Sequence, residues 1–478
     1  MKRNFSDRQA VSRVVVAIVV VVIIVIAAAG TLALTIKPAT TTGPTTLTVT
    51  TTAVTTSAVT TTATSAVTTT ATSAVTTTAT TTQAPVTLTV WDTYAPGSGE
   101  FTAFNKTIAD FNMVYPWITL NIQTQPFNSA EADFITAALA NQAPDVLRVS
   151  NDWTGPLVAQ GFIQPIDSFV NSTFMQQYSN ASTADYTFNG HLYGLGENIN
   201  GLALIYNKAL FTAAGLSGPP TTTDQLLSDA QALLAKNAST IPIIFPANNG
   251  YWWYPFLFGF GGQIFQSGTV PPTPLVNSTA AVDATMFLNK LVNDGYMPPQ
   301  PSDSDMTSAF TSGQAAMIID GPWDVSTWTA VSGLEWAVAP LPTVSNTSLP
   351  IAPTWGSQGW EISSDLPAHV QQAAFDFISY VTTASAQANL FTYAGDLPTS
   401  TTLASSSTIT SNSTFAGFVL QEATAGPLPN SPQMGDTWTP VGNALAAAEP
   451  TSPTQVVTSA TIQSQLNGAE TSIITAEG

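Results

Sequence analysis

From residue 86 onward, the apolar and polar positions follow a pattern that alternates between strand and helix. "VTLTVWD" is rich in apolar residues and leads into a Gly-rich loop, "APGSGE". The segment "FTAFNKTIADFNMVY" places Phe101, Phe104, Ile108 and Phe111 at helical spacing. A strand in "WITLNIQTQP", a helix in "EADFITAALANQ" and a strand in "PDVLRVS" continue the alternation. This order predicts an α/β fold with a parallel sheet flanked by helices, and the length of segment 86–478 predicts two lobes.

The beginning of the chain has the pattern of a membrane anchor. An uncharged apolar run covers residues 14–36 and is long enough to cross a bilayer. The basic residues within 1–13 predict a cytoplasmic head, with everything after residue 36 outside. "QAVSRVVVAIVVVVIIVIA" also resembles the leaders of pilin-like archaeal surface proteins, in which a peptidase removes the basic head and leaves the apolar anchor. A conventional cleaved signal peptide is the alternative.

Residues 37–85 are dominated by threonine with alanine, serine and valine, and the unit "SAVTTTAT" begins at Ser57, Ser65 and Ser73. Such a segment cannot bury enough apolar surface to offset its chain entropy. We therefore expect a disordered, O-glycosylated stalk that holds a domain away from the membrane. Candidate N-glycosylation sites, each in an Asn-X-Ser/Thr motif, are Asn105, Asn171, Asn180, Asn237, Asn277, Asn346 and Asn412.

The composition excludes several classes of function. The chain has 10 Lys and Arg residues against 29 Asp and Glu residues, which is the opposite of what nucleic-acid binding needs. It has no cysteine and only 2 histidines, so we expect no disulfide, no metal centre built on these residues and no cofactor. In acid most carboxylates are protonated, so a chain with few basic residues keeps its net charge small. We therefore expect the external domain to face an acidic medium.

Several motifs together resemble one family. "NQAPDVLRVSNDWTGPLVAQGFIQPIDSF", "LALIYNKALF" and "AFTSGQAAMIIDGPW" resemble extracellular solute-binding proteins of ABC importers, and "PQMGDTWTPVGNALAAA" resembles their maltose/maltodextrin-binding branch. The resemblance implies a periplasmic-binding-protein-like fold of two α/β lobes, with a hinge and a ligand cleft between them. It implies a first lobe of residues 86–200 plus 351–398 and a second of 201–350 plus 399–478. The implied partners are a neutral oligosaccharide and the permease subunits of a transporter.

A sugar ring has apolar C–H faces and a rim of hydroxyl groups, so its site needs aromatic plates and planar polar groups. The segment "NNGYWWYPF" contains four consecutive aromatic residues, of which the resemblance assigns two to sugar stacking. At least one of Trp252 and Trp253 is predicted to pack in the core instead. The residues that the resemblance assigns to stacking are Tyr251, Tyr254, Trp323 and Trp438. The alternative interpretation is that these rings belong to the core.

The resemblance also implies polar contacts to the sugar. The candidates for binding hydroxyl groups are Asp152, Asn249, Asn200, Glu100 and Asp92. Further candidates for the cleft are Trp153, Glu197, Trp355 and Gln358. Asn200 stands where the family often has a glutamate, and "APGSGE" replaces an Asp-Lys pair, so the identity of the sugar stays open. Asp152 has an alternative role as a helix cap.

Two other functions fit less well. A glycosidase needs two opposed carboxyl groups, and close pairs such as Asp303 and Asp305 lack a catalytic signature, so we expect no enzyme. A receptor for another solute, such as trehalose, another oligosaccharide or a peptide, remains the nearer alternative. The cell surface, with the domain anchored outside the cytoplasmic membrane, is the expected location.

Overall fold

The computed structural model describes residues 33–35, 50–52, 83–266, 271–412 and 414–476. The chain divides into two compact units, Met1–Ala84 and Pro85–Gly478. In the first unit, the described strands Ala33–Thr35 and Thr50–Thr52 pair in antiparallel fashion. Apart from these strands and residues 83–85, the predicted anchor at 14–36 and stalk at 37–85 lie outside the described residues. In the part of the chain that is described, no helix is both long enough and apolar enough to cross a membrane.

The strands, in chain order, are β1 (Ala33–Thr35), β2 (Thr50–Thr52), β3 (Val86–Asp92), β4 (Ile118–Thr124), β5 (Val146–Ser150), β6 (Thr187–Phe188), β7 (His191–Leu192), β8 (Gly194–Asn200), β9 (Ala203–Asn207), β10 (Met317–Asp320), β11 (Trp336–Ala339), β12 (Thr354–Ile362) and β13 (Gly426–Pro427). The α-helices are α1 (Gly99–Val114), α2 (Phe127–Leu139), α3 (Asn151–Ala159), α4 (Ser172–Met175), α5 (Asn180–Asp185), α6 (Lys208–Ala213), α7 (Thr223–Lys236), α8 (Gly250–Gly259), α9 (Thr279–Asn293), α10 (Asp303–Thr311), α11 (Val325–Thr329), α12 (Ala368–Val381), α13 (Ala384–Tyr393), α14 (Thr401–Ala404), α15 (Ser407–Thr410), α16 (Ala416–Glu422), α17 (Pro432–Ala448) and α18 (Ser459–Ala476). A short 3-10 helix covers Pro322–Asp324.

The first strands and helices of the second unit are those predicted from the sequence. β3 pairs in parallel with both β4 and β5, and its side chains Leu88 and Val90 are fully buried. α1 begins where the side chain of Ser98 accepts a backbone N–H, and it buries Phe104 and Phe111 on one face. The predicted α/β architecture with parallel strands is therefore confirmed.

Two sheets form the framework of this unit. The larger one has the order β13-β12-β5-β3-β4, and β8 also pairs with β12. β12 runs antiparallel to β5 and β8, so the sheet is mixed rather than wholly parallel. The smaller sheet is antiparallel, with the order β10-β9-β11. The carboxyl end of β5 leads directly into α3, and the end of β10 leads into the 3-10 helix.

The buried apolar residues form two separate cores. The first core contains residues from β3 to β8 together with β12 and α12, and the second contains residues from β9 to α11 together with α17 and α18. The chain passes from the first core to the second between Leu195 and Ile199. It returns between Trp355 and Trp360, and it crosses again after Leu390. Three chain crossings therefore connect the cores.

Candidate functional site

The aromatic segment that stands out in the sequence forms helix α8. Asn249 caps the helix, because its Oδ1 accepts the N–H of Tyr251 at 2.9 Å. Trp253 is fully buried and donates its indole N–H to Thr285 at 3.0 Å, so it packs in the second core as predicted for one of the two tryptophans. Trp252 is half-buried and donates to the carbonyl of Ile319 at 2.7 Å.

The four rings assigned to sugar stacking lie together at the start of this helix. The ring centroids of Tyr251 and Trp323 are 6.3 Å apart, and those of Tyr254 and Trp438 are 5.5 Å apart. A Cβ built on Gly250 would lie 3.4 Å from the ring of Trp438, so α17 packs directly on the first turn of α8. Tyr251, Tyr254, Trp323 and Trp438 are called the aromatic cluster below.

The members of the aromatic cluster differ in how accessible they are. Tyr254 is fully buried and its hydroxyl group donates to Oγ1 of Thr437 at 2.8 Å. Tyr251, Trp323 and Trp438 are half-buried, so each ring keeps a part of its surface in reach of a ligand. Burial raises the pKa of Tyr251, and the carboxyl groups of Asp320 and Asp152 raise it further. The hydroxyl group of Tyr251 therefore stays neutral, and the charges of two acidic side chains act on it.

Asp152 joins the aromatic cluster to the first core. It lies in the first turn of α3, directly after β5, and it is buried. Its Oδ2 accepts the indole N–H of Trp438 at 2.9 Å. Burial raises the pKa of Asp152, whereas the hydrogen bonds from Ser150 and Trp438 lower it. This bond connects a helix that follows a first-core strand with a helix of the second core.

Trp153, the next residue, is only 6% exposed and belongs to the first core. Its ring centroid lies 5.2 Å from that of Phe127. The structure therefore gives this side chain a packing environment and places it apart from the aromatic cluster.

Arg148 organises a second group of predicted site residues. Its guanidinium is fully buried and donates to Oε1 of Glu197 at 2.6 Å and to Oε1 of Glu100 at 3.1 Å. It also donates to Thr93 at 2.8 Å and lies 4.0 Å from the ring centroid of Tyr94. Buried charges need this degree of pairing, because an unpaired one is strongly destabilising. These five residues are called the Arg148 network.

The acidic residues in and beside this network accept hydrogen bonds from protein donors. Both oxygens of Glu197 accept the hydroxyl of Tyr94, and Oε2 also accepts the indole N–H of Trp360 at 2.7 Å. Asp92 is buried and accepts the N–H of Tyr94 and the hydroxyl of Thr124, both at 3.0 Å. These hydrogen bonds explain why Glu197 and Asp92 can be buried without a ligand.

Arg148 is the functional residue that sequence reasoning overlooked. It is the only arginine after residue 13, and it stands inside the apolar strand "VLRVS". A cation in the middle of a strand that is expected to be buried requires carboxylate partners. That signal indicated that some of the acidic candidates would pair with Arg148 instead of with a ligand.

Asn200 also has protein partners. Its Nδ2 donates to Oδ1 of Asp396 at 2.9 Å, and its Oδ1 accepts the N–H of Leu397 at 3.2 Å. It lies at the end of β8, where the chain enters the second core. Each amide atom of Asn200 thus has one of its two hydrogen-bonding positions occupied.

Trp355 and Gln358 lie on β12, where the chain returns to the first core. Trp355 is 4% exposed, and its ring lies where a side chain at position 201 would be, so only Gly201 permits this packing. The indole Nε1 of Trp355 and Oε1 of Gln358 are both buried without a hydrogen-bond partner among the described residues. Polar atoms of this kind are uncommon in folded proteins and are candidates for contact with a polar ligand.

The acidic pair considered for an enzyme has a structural role. Ser302 caps helix α10, and the carboxylate of Asp305 accepts the N–H of Ser302 in return. Asp303 is the first residue of the same helix. Both carboxyl groups lie in the first turn, where negative charge stabilises a helix.

The model of one protein family matches residues 101–417 of the chain, and this family is described as bacterial extracellular solute-binding protein. Among curated proteins, the maltotriose-binding protein of Pyrococcus abyssi is 25% identical over 357 residues, which cover 74% of this chain and 76% of that protein. The maltodextrin-binding protein MdxE of Bacillus subtilis is 28% identical over 329 residues, 66% of this chain and 75% of that protein. The maltooligosaccharide ABC transporter solute-binding lipoprotein of Streptococcus pneumoniae strain R6 is 26% identical over 320 residues, 64% of this chain and 73% of that protein.

Solved structures share the fold. The maltotriose-binding protein of Thermus thermophilus, solved with maltotriose, superposes with a TM-score of 0.72 at 23% identity and covers 82% of this chain and 100% of that chain. The family match covers most of the described unit and includes β5, α8 and β10 of the site. This chain therefore belongs to the family of bacterial extracellular solute-binding proteins.

Proposed function

We propose that this chain is the extracellular receptor of an ABC importer and that it binds neutral oligosaccharides of the maltodextrin type. The names of its relatives, which refer to maltotriose, maltodextrin and maltooligosaccharide, support this ligand class. The name of the Streptococcus pneumoniae relative supports an ABC transporter as the partner. Within such an importer the chain delivers its sugar to the permease subunits and performs no chemical step.

One observation carries this proposal. The aromatic cluster presents three half-buried rings beside the carboxyl group of Asp152. A pyranose needs flat apolar surfaces for its C–H faces and fixed polar groups for its hydroxyls, and this arrangement supplies both. Each sugar face that is buried on a ring contributes about 1–2 kcal/mol from the apolar area alone. Asn249, which lies exposed at the cap of α8, offers its Nδ2 to a hydroxyl group.

The two cores support a division into two lobes that close on the ligand. We assign residues 86–200 plus 351–398 to the first lobe and 201–350 plus 399–478 to the second. Ile351, Trp355 and Leu397 pack with the second core, so the chain returns to the first core after residue 355 and leaves it again before residue 397. The crossings then form the hinge. A sugar that contacts both lobes binds only the closed form well, and this difference in affinity shifts the population towards closure.

The bond between Trp438 and Asp152 gives the closure a specific step. Asp152 accepts from Trp438 in this structure, and its carboxylate has further acceptor positions that a hydroxyl group of the sugar could use. We expect the sugar to replace or share this bond when it enters.

The experiment is a titration of the external domain, followed by intrinsic tryptophan fluorescence, against a panel of sugars and a peptide pool at pH 3 and pH 7. We expect maltotriose and longer maltodextrins to change the emission in a saturable way. A response to trehalose or another oligosaccharide alone would change the ligand, and a response to peptides alone would replace the sugar receptor with the nearer alternative. No response to any α-glucoside would contradict the maltodextrin assignment.

We also propose that residues 14–36 anchor the protein in the cytoplasmic membrane and that residues 37–85 form the stalk. The uncharged run, its basic flank and the repeats support this location at the cell surface. An acidic medium outside is supported by the scarcity of basic residues and by several buried carboxyl groups. Burial raises the pKa of Glu361 to about 8 and that of Asp185 to about 6.

The exposed sequons support N-glycosylation of the external domain. The exposed candidate asparagines are Asn105, Asn171, Asn180, Asn237 and Asn346, and the half-buried ones are Asn277 and Asn412. All three residues of the motif are exposed at Asn171, Asn237 and Asn346, so we expect these three positions to be modified first. Glycopeptide mass spectrometry of the native protein tests each position.

A further inference from the structure

Asp396 has an unusual position in the fold. It is 1% exposed and lies on the segment where the chain crosses to the second core for the last time. Its Oδ2 accepts Nδ2 of Asn198 at 3.1 Å, and its Oδ1 accepts Nδ2 of Asn200 at 2.9 Å. Both asparagines belong to β8, which forms the first crossing. Each oxygen of the Asp396 carboxyl group therefore accepts a hydrogen bond from a side chain of the first crossing.

Backbone contacts place the two crossings side by side. Asn198 and Pro398 form an antiparallel bridge, and the N–H of Ile199 donates to the carbonyl of Leu397 at 2.9 Å. The N–H of Leu397 donates in turn to Oδ1 of Asn200 at 3.2 Å. Asp396 is thus the side chain that ties together two of the three segments connecting the cores.

The charged groups around Asp396 favour a proton on its carboxyl group or on that of Glu100. The carboxyl groups of Asp396 and Glu100 lie within hydrogen-bonding reach of each other, and two carboxyl groups bond in this way only when one of them is protonated. The guanidinium of Arg148 is the only cation among the groups that act on Asp396, and it already pairs with Glu100 and Glu197. A third ionised carboxylate in this buried place would have no counter-ion.

The other titratable groups near this point have the same sign or are neutral. Burial raises the pKa of Asp92, the guanidinium of Arg148 lowers it, and the charge of Glu197 raises it. The hydroxyl group of Tyr94 donates to Glu197. The group therefore contains the guanidinium of Arg148, the buried carboxyl groups of Asp92, Glu197 and Asp396, and the partly exposed carboxyl group of Glu100.

We propose that Asp396 is a positioning residue of the hinge, which shares one proton with Glu100 and thereby fixes Asn198 and Asn200 at the crossing between the lobes. The part that concerns sugar affinity rests on the proposed function, whereas the part that concerns the crossing does not. By holding one N–H of Asn200, Asp396 determines which hydrogen-bonding positions this amide has left for a hydroxyl group of the ligand.

Removal of the proton reverses the contact. Burial raises the pKa of Asp396, the charge of Glu100 raises it further, and Arg148 lowers it by less. Once the shared proton is lost, the attraction between Glu100 and Asp396 becomes a repulsion between two carboxylates, of which that of Asp396 is buried. We therefore expect the contacts between the two crossing segments to be stable in acid and to open more often as the pH rises.

Two substitutions at this position test the proposal. Asp396→Asn removes the titrating proton and offers an N–H to Glu100, and its one acceptor oxygen keeps one of the two bonds from Asn198 and Asn200, so its contacts should not change with pH. Asp396→Ala removes the contacts altogether. The matched control is Glu449→Gln, because Glu449 is also buried and burial raises its pKa to about 7, but its carboxyl group accepts from Gln300 and belongs to neither crossing.

The first measurement is hydrogen exchange of residues 194–200 and 396–400 without sugar, from pH 4 to pH 8, corrected for the intrinsic exchange rate. In the wild type and Glu449→Gln, we expect protection to fall by about tenfold or more as the pH rises. In Asp396→Asn protection should stay nearly constant, and in Asp396→Ala it should be low throughout. A wild-type profile in Asp396→Asn, or full protection in Asp396→Ala, would overturn the proposal.

The second measurement is the affinity for maltotriose over the same pH range. We expect Asp396→Ala to bind about tenfold more weakly than the wild type in acid. Asp396→Asn should bind with an affinity that no longer depends on pH in this range. If the wild type binds no sugar at any pH, the proposed function fails, while the exchange experiment still decides the role of Asp396.

Discussion

The Arg148 network and the aromatic cluster use polar residues in opposite ways. In the network, the guanidinium and the carboxyl group of Glu197 are paired with each other and with further protein groups, deep in the first core. In the aromatic cluster, three rings keep part of their surface accessible, and the carboxyl group of Asp152 bonds the indole N–H of Trp438 across the two cores. An acidic residue that looks suited to a ligand can instead pair with a buried cation and stabilise the fold. We infer that the network stabilises the fold and that the cluster binds the ligand.

Removal of the cation is expected to have the largest effect on stability. Arg148→Met would leave the buried carboxyl group of Glu197 and the partly exposed one of Glu100 without their cation. We expect a loss of about 3–5 kcal/mol in the free energy of unfolding, measured by chemical denaturation of the external domain.

The control for this variant is Lys106→Ala, which removes a surface pair. Lys106 and Asp110 are 3.6 Å apart, and both side chains are more than 40% exposed. We expect a change below about 0.5 kcal/mol. An Arg148→Met protein as stable as Lys106→Ala would show that the network does not hold the first core.

Stability should decrease as the pH rises, because buried carboxyl groups hold their protons in the folded protein. Glu361 is fully buried and accepts from Thr154 at 2.7 Å, and burial raises its pKa from 4.5 to about 8. Between these two values the folded protein keeps a proton that the unfolded chain loses, so stability falls as the pH rises. We expect Glu361→Gln to remove about 2 kcal/mol of this decline, measured by denaturation at pH 4 and pH 8.

Asp305→Asn is the control for this pH effect. Hydrogen bonds from Ser302 lower the pKa of Asp305, so its proton is lost well below this window. The variant should retain the wild-type slope. A wild-type stability that increases from pH 4.5 to pH 8 would contradict the expected direction of this pH effect.

A pair of tyrosine variants sharpens the comparison inside the aromatic cluster. Tyr254→Phe removes the bond to Thr437, so we expect a loss of about 1 kcal/mol in stability. Tyr251→Phe removes a hydroxyl group on a half-buried ring, and we expect a change below about 0.5 kcal/mol. Thermal unfolding of both variants measures this difference. Equal losses would mean that the two tyrosines have the same structural role.

Periodicity in the sequence predicted the local structure of the first lobe. The spacing of Phe104 and Phe111 predicted helix α1, and the apolar character of "VTLTVWD" predicted β3, because these patterns depend on neighbours along the chain. The grouping of Tyr251 with Trp323 and Trp438 was not visible in periodicity and came from the family resemblance. Whether these residues contact a sugar stays a prediction.

The roles of the polar residues were harder to predict, since their partners are distant in sequence. Asn200 bonds Asp396, which is 196 residues away, and Glu197 bonds Trp360, which is 163 residues away. A single sequence does not show which distant residues form hydrogen bonds with each other. It did show a lone arginine inside an apolar strand, which is a reason to expect buried carboxylates before a ligand is considered.

The central claim is that the aromatic cluster binds the sugar. The most direct test is calorimetric titration of maltotriose into Trp323→Ala, the wild type and the control Trp91→Phe, whose indole N–H bonds Gln123 in the first core. We expect Trp323→Ala to bind about tenfold more weakly while it remains folded at the temperature of the titration, and Trp91→Phe to bind like the wild type. Equal affinity in all three proteins would contradict the claim.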